Sequence, residues 1–156
     1  MRCFVLGRLV CLRLLVSCFC GPAAAAGQLV VATFPGNEVL MQVPLGTETQ
    51  FSLSFIHSVS KTRVIDVYEI RGKEIIQTRE YFSAHGAGLP SSPDEPDGIR
   101  WGKQGSQFVL YMARPMPKLV VRTDKNYENR LKVPGLTINL NQWEDQALLL
   151  YSVPEK

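Results

Sequence analysis

The side chains of this chain with types suited to chemistry sit in two short blocks and the strands beside them. His57 heads His57-Ser58-Val59-Ser60-Lys61-Thr62-Arg63-Val64-Ile65-Asp66, and His85 heads His85-Gly86-Ala87-Gly88-Leu89-Pro90. A histidine beside a serine invites a nucleophile–base pair, but neighbours on a strand point to opposite faces, and no Gly-x-Ser-x-Gly elbow is present. His57, His85, Asp66 and Glu80 are donor types for a metal-assisted hydrolase, yet the two imidazoles are not one helical turn apart and no zinc-type spacing occurs. The glycines of the second block lack the lysine and following helix that cradle phosphate. They suit left-handed turns, with Pro90 stiffening the exit. What remains is a polar surface made of His57, Ser58, Thr62, Asp66 and Glu80 with the loop residues Gly86, Gly88, Leu89 and Pro90. In it the loop supplies backbone donors and the side chains fix orientation.

The elements that must position these residues read as strands. Glycines and prolines punctuate the chain at short intervals and leave no room for a long helix. Strands are expected near residues 28–33, 38–43, 49–58, 63–71, 74–82, 107–113, 118–123, 136–140 and 147–153, with a single helical turn near 140–146. This predicts an all-β domain over 27–156, an antiparallel sandwich or partly open barrel of about eight to nine strands. In the strand near 49–58, Phe51, Leu53, Phe55 and His57 share one face, so His57 sits at the end of the core face. Arg71-Gly72-Lys73-Glu74 reads as a tight hairpin turn. A two-residue Gly72-Lys73 loop sets Ile70 against Ile75, Asp66 against Arg79 and Ile65 against Glu80, which predicts an Asp66–Arg79 cross-strand ion pair. Between 83 and 106 the pattern stops, and one long loop is expected there.

Length and charge bound the function class. At 156 residues the chain supports one domain. Residues 1–26 read as an export signal: Arg2, Arg8 and Arg13 supply charge, an apolar run follows to Cys20, and Ala24-Ala25-Ala26 offers a cleavage site. Cleavage there removes all four cysteines and leaves 14 of the 17 basic residues against 14 acidic ones. The domain is then uncharged overall, which gives little support to nucleic-acid binding. A second route competes: Leu15-Val16-Ser17-Cys18 resembles a bacterial lipobox, in which acylated Cys18 tethers a structural lipoprotein to a membrane. No cofactor motif is present.

At the two blocks the chain resembles the bacterial family known as domain of unknown function eighteen-fifty. The matching stretches are His57-Ser58-Val59 with Lys61-Thr62 and Val64, the strand Thr78-Arg79-Glu80-Tyr81-Phe82, and Gly86-Ala87-Gly88-Leu89-Pro90. Asn129-Arg130-Leu131-Lys132-Val133-Pro134-Gly135 resembles the family's later block more loosely. Arg63 departs from the pattern, standing where proline is common after Lys-Thr. The resemblance implies a small exported protein in the company of TAXI-type tripartite ATP-independent periplasmic transporters. It implies a non-catalytic accessory or binding module in the periplasm, whose partner is the transporter membrane subunit or its periplasmic binding protein.

Overall fold

The computed structural model describes residues 27–84, 88–92 and 94–154. The expected export signal, Cys18 and its lipidation, and His85 and Gly86 of the second block lie outside these residues. In chain order the strands are β1 (Gly27–Thr33), β2 (Val39–Pro44), β3 (Gln50–Ile56), β4 (Arg63–Arg71), β5 (Glu74–Phe82), β6 (Gly98–Gln104), β7 (Gln107–Pro115), β8 (Leu119–Arg122), β9 (Arg130–Val133), β10 (Leu136–Asn139) and β11 (Ala147–Pro154). Single 3-10 turns at Lys125–Tyr127 and Leu140–Gln142 complete the elements.

Every pairing is antiparallel. A four-stranded sheet runs β2-β1-β11-β8, and a seven-stranded sheet runs β10-β9-β3-β4-β5-β7-β6. The expected all-β sandwich is present. It is not closed into a barrel, and its eleven strands exceed the expected eight to nine. The two additional strands have a physical explanation. β6 crosses the stretch expected to be one long loop, but as an edge strand with two glycines it buries little and shows no alternation. β9 has four residues, and only Leu131 and Val133 face inward, too short a run to show a period.

The main core joins the sheets. Leu29, Val31, Leu148 and Leu150 of the small sheet pack with Phe51, Leu53, Tyr68, Ile70, Leu131 and Val133 of the large one. Side chains as fully buried as Leu29, Leu131 and Leu148 contribute roughly 1.5–3 kcal/mol each. A second, smaller cluster lies toward the other end of the large sheet. Val64, Phe82 and Leu89 are its buried members, and Phe55, Trp101 and Phe108 pack against them. β7 passes through Met116 and Pro117 into β8, one of two places where the chain leaves the large sheet for the small one, the other being β10 to β11. Met116 donates its backbone N–H to Ile75 O at 2.8 Å as it leaves.

The hairpin between β4 and β5 starts as expected and then departs from it. Gly72 has φ 65°, and Arg71 faces Glu74, Ile70 faces Ile75 and Tyr68 faces Gln77. Between Tyr68 and Val67 the register shifts by one residue, so that Val67 faces Arg79, Asp66 faces Glu80 and Ile65 faces Tyr81. Thr78 is the extra residue of this β-bulge, and its hydroxyl donates to Val67 O at 3.2 Å. The pairing of β5 with β7 shifts at the same place. The expected Asp66–Arg79 ion pair therefore does not form. Arg79 turns to the outer face and donates to Gln50 Oε1 at 3.1 Å.

Candidate functional site

The bulge at Thr78 builds the site. In a regular ladder Glu80 would share a face with Ile65, opposite to Asp66. One extra residue reverses the phase of β5 beyond Gln77, so Gln77 and Glu80 both reach the inner face, where Asp66 and Tyr68 of β4 already point. Bulges are frequent beside functional sites because they re-aim side chains in this way. Across β4 and β5 the two carboxyls are direct neighbours, a pairing that is unfavourable when both are charged.

These residues line a cavity of about 500 Å³ between the sheets. Leu53 and Phe55 of β3 form part of one wall, with Arg114 and Met116 at the end of β7. Leu119, Val120, Val121 and Arg122 of β8 form the opposite wall. His57, Tyr127, Asn129 and Arg130 stand at one side, and Gly88 and Leu89 at another.

A chain of hydrogen bonds crosses the floor. Gln77 Nε2 donates to Asp66 Oδ1 at 3.1 Å, and Tyr68 donates to Asp66 Oδ2 at 3.4 Å. Arg114 Nη1 donates to Gln77 Oε1 at 3.4 Å and its Nη2 to Pro96 O at 3.0 Å, while its Nε lies 3.7 Å from Asp97. None of the described residues donates a hydrogen bond to the Glu80 carboxyl, although Glu80 is only 9% exposed. No buried side-chain polar atom among the described residues lacks a partner. The Glu80 oxygens therefore lie on the accessible surface of the cavity.

Both carboxyls bind protons more tightly than usual. Burial pushes Asp66 up from 3.8 to about 6, against the hydrogen bonds from Tyr68 and Gln77 and the charge of Arg114. Burial pushes Glu80 up from 4.5 to about 7, aided by the charge of Asp66 and opposed by Arg114. The Tyr68 phenol is held well above 10 by burial and by the two carboxylates. A pair of titrating groups in a concave site is the arrangement expected of a functional centre.

The rim is held by tight polar turns. His57 directly follows β3 and starts a turn in which its N–H donates to Thr62 O at 2.8 Å and its carbonyl accepts from Lys61 N at 3.0 Å. Its Nδ1 accepts from Ser60 N at 3.2 Å, and the Ser60 hydroxyl lies 3.1 Å from Nδ1 and 2.9 Å from the Thr62 hydroxyl. On the same side Arg130 Nη1 donates to Asn129 O at 2.9 Å, Asn139 Oδ1 at 2.7 Å and Asn141 Oδ1 at 3.2 Å. Arg63 ties the start of β4 to this side through Glu128.

The chain matches the family described as Domain of unknown function (DUF1850) over residues 51–140, more than half of its length. It belongs to that family. No curated protein and no solved structure matches the chain. The part matched to the DUF1850 family runs from β3 to the 3-10 turn after β10 and contains Asp66, Glu80, Gln77, Arg114 and the loop at Gly88. β1, β2 and β11 fall outside it.

Of the residues singled out from sequence, His57, Ser58, Asp66, Glu80, Gly88 and Leu89 line the cavity. Ser58 is exposed and takes no part in the Ser60–His57 contact. Thr62 stands one step back, holding Ser60, and Pro90 is buried behind Leu89. Gly86 and His85 lie outside the described residues. Among the described residues no group of three or more His, Cys, Asp or Glu side chains comes together in a way that could hold a metal ion. Gln77, Tyr68 and Arg114 were not legible as site residues, because a polar or aromatic residue within a strand carries no mark of the face it occupies.

Proposed function

We propose that the protein is an exported, non-catalytic accessory module of a TAXI-type tripartite periplasmic transporter, and that it binds through the cavity between its two sheets. The observation that carries the binding reading is Glu80: a carboxyl nine-tenths buried, placed beside Asp66, with its oxygens open to a cavity and no described donor. A structural core would exclude such a group or pair it. The cavity has the volume of a small-molecule site, and a few polar groups converge on it between apolar walls. The transporter and the periplasmic setting come from the company kept by the DUF1850 family, so they support a pathway more than a mechanism.

The test is recovery of partners from the envelope of the native host after gentle crosslinking of the tagged full chain. The expected result is enrichment of a transporter membrane subunit or periplasmic binding protein. That enrichment falls at least roughly tenfold in His57→Ala and Gly88→Val proteins that still fold, a loss of about 1.4 kcal/mol or more. Gly88 has φ 82°, so valine there distorts the loop at the cavity while leaving the sheets intact. Equal recovery by both folded variants, or a protein that recovers no partner at all, contradicts the proposal.

A further inference from the structure

We infer that the cavity between the sheets takes a small organic cation, with a primary ammonium or guanidinium group held between the carboxylates of Asp66 and Glu80. The inference rests on the reading of the cavity as a binding site and names the ligand class.

Arg114, the cation whose charge acts on both carboxyls, is committed, whereas the carboxyls are not, and Arg122, which also lines the cavity, is exposed at the end of β8. Arg114 spends its guanidinium on Gln77, on Pro96 O and on Asp97. Arg130 Nη1 spends its protons on one backbone carbonyl and two asparagine amides. Asp66 accepts one hydrogen bond at each oxygen, and a carboxylate oxygen has room for a second. Glu80 accepts none from the described residues. The deep part of the cavity is therefore a cluster of acceptors waiting for donors. An ammonium has three donors and no acceptor, and a guanidinium has five. Either satisfies both carboxyls at once, through charge-assisted bonds. An anion would meet two carboxylates, and a neutral ligand would leave Glu80 short of a charged partner.

The walls fit the rest of such a molecule. Leu53, Leu119 and Met116 offer apolar surface beside the carboxyls, which suits an alkyl body and not a hydrated inorganic ion. The sheets enclose the acid pair from both sides in about 500 Å³, the volume of a free small molecule. A lysine side chain of another protein carries the same donor group and is treated as an outcome of the test.

The experiment uses the protein expressed from its full chain and labelled with carbon-13, at pH 8. The carboxyl carbons of Asp66 and Glu80 are followed while n-butylammonium, ethylguanidinium, n-butanol, butyrate, calcium or a lysine-containing peptide is added. The inference predicts saturable shifts at both carboxyls with butylammonium or ethylguanidinium, and none with butanol, butyrate or calcium at equal concentration. Glu80→Gln and Asp66→Asn, each checked for a folded spectrum, weaken the cation response at least roughly tenfold. Saturation by butanol or butyrate in place of the cations overturns the cation assignment while leaving the cavity as a binding site. Saturation by calcium alone, or by the peptide alone, overturns the organic small molecule in the same way. No response to any probe overturns both the assignment and the reading of the cavity beneath it.

Discussion

Glu80→Gln makes the protein more stable than its parent at pH 8, by about 1–3 kcal/mol, and leaves it unchanged near pH 4. The Glu80 carboxyl titrates near 7 in the folded protein, against 4.5 for an ordinary glutamate. The folded state thus holds this proton more tightly than the unfolded chain does. Its contribution to stability is complete below about pH 4.5 and is lost as the pH rises through about 7. A shift of this size corresponds to roughly 3 kcal/mol at most, since one pKa unit is worth about 1.4 kcal/mol. Access of water to the Glu80 oxygens brings the expected gain below that ceiling. Glutamine has nearly the same shape, cannot ionise, and donates to Asp66 across the strand pair. Urea denaturation from pH 4 to 8.5 checks the effect. The parent loses stability across this window, and the variant loses about half as much, because of the two raised carboxyls only Asp66, moved from 3.8 to about 6, remains. Parallel curves for parent and variant would show that Glu80 is not held in the cavity as described. The gain in stability should come with loss of binding, the trade expected where a site keeps an uncompensated group for its ligand.

Phe82→Ala has the opposite sign and a larger effect, a loss of about 3–5 kcal/mol. Phe82 has no exposed surface and lies next but one to Glu80 on the inner face of β5. Its ring meets Trp101 edge-on at 5.4 Å and Phe108 at 5.7 Å, and Leu89 belongs to the same cluster. The substitution therefore opens a hole under three elements at once: the edge strand β6 that carries Trp101, the β7 strand that carries Phe108, and the loop that brings Leu89 to the cavity. Collapse around the hole is limited because β5 is hydrogen-bonded on both sides, to β4 and β7. Denaturation monitored by tryptophan fluorescence checks the size of the loss. A red shift of Trp101 emission in the folded variant is expected as β6 loosens. A loss below about 1 kcal/mol would mean that the cluster does not hold the loop against the sheet.

The reach of the sequence can be judged from these same residues. Phe51, Leu53 and Phe55 announce the inner face of β3 by strict alternation, and Phe51 and Leu53 are buried, with His57 closing that face. Gly72 announces the hairpin turn, and Ile70–Ile75 pair as the turn requires. The bulge at Thr78 is silent, because Thr78 and Arg79 are both at home on a solvated face and nothing in Gln77-Thr78-Arg79-Glu80 marks the extra residue. That silence changed the chemistry at Asp66: an expected ion pair with Arg79 is in fact an acid pair with Glu80. Asp66 and Glu80 were each singled out from sequence, but only the change of register puts them on one face. Arg114 was equally hidden. The two prolines of Arg114-Pro115-Met116-Pro117-Lys118 suit a connector, and the connection from β7 to β8 is there, but its role as a wall of the cavity depends on how the two sheets stack. Stacking is set by contacts distant in sequence, which no local pattern reports.

The most direct test of the account is a pH titration of the Asp66 and Glu80 side-chain carboxyl carbons by NMR in the ligand-free protein. The account predicts two coupled steps near pH 6 and 7 at these carboxyls. Each carboxyl should sense the other's step, because the bulge makes them neighbours. Independent titration of both near pH 4 would place them in solvent and apart. That result would contradict the acid pair and with it the binding site.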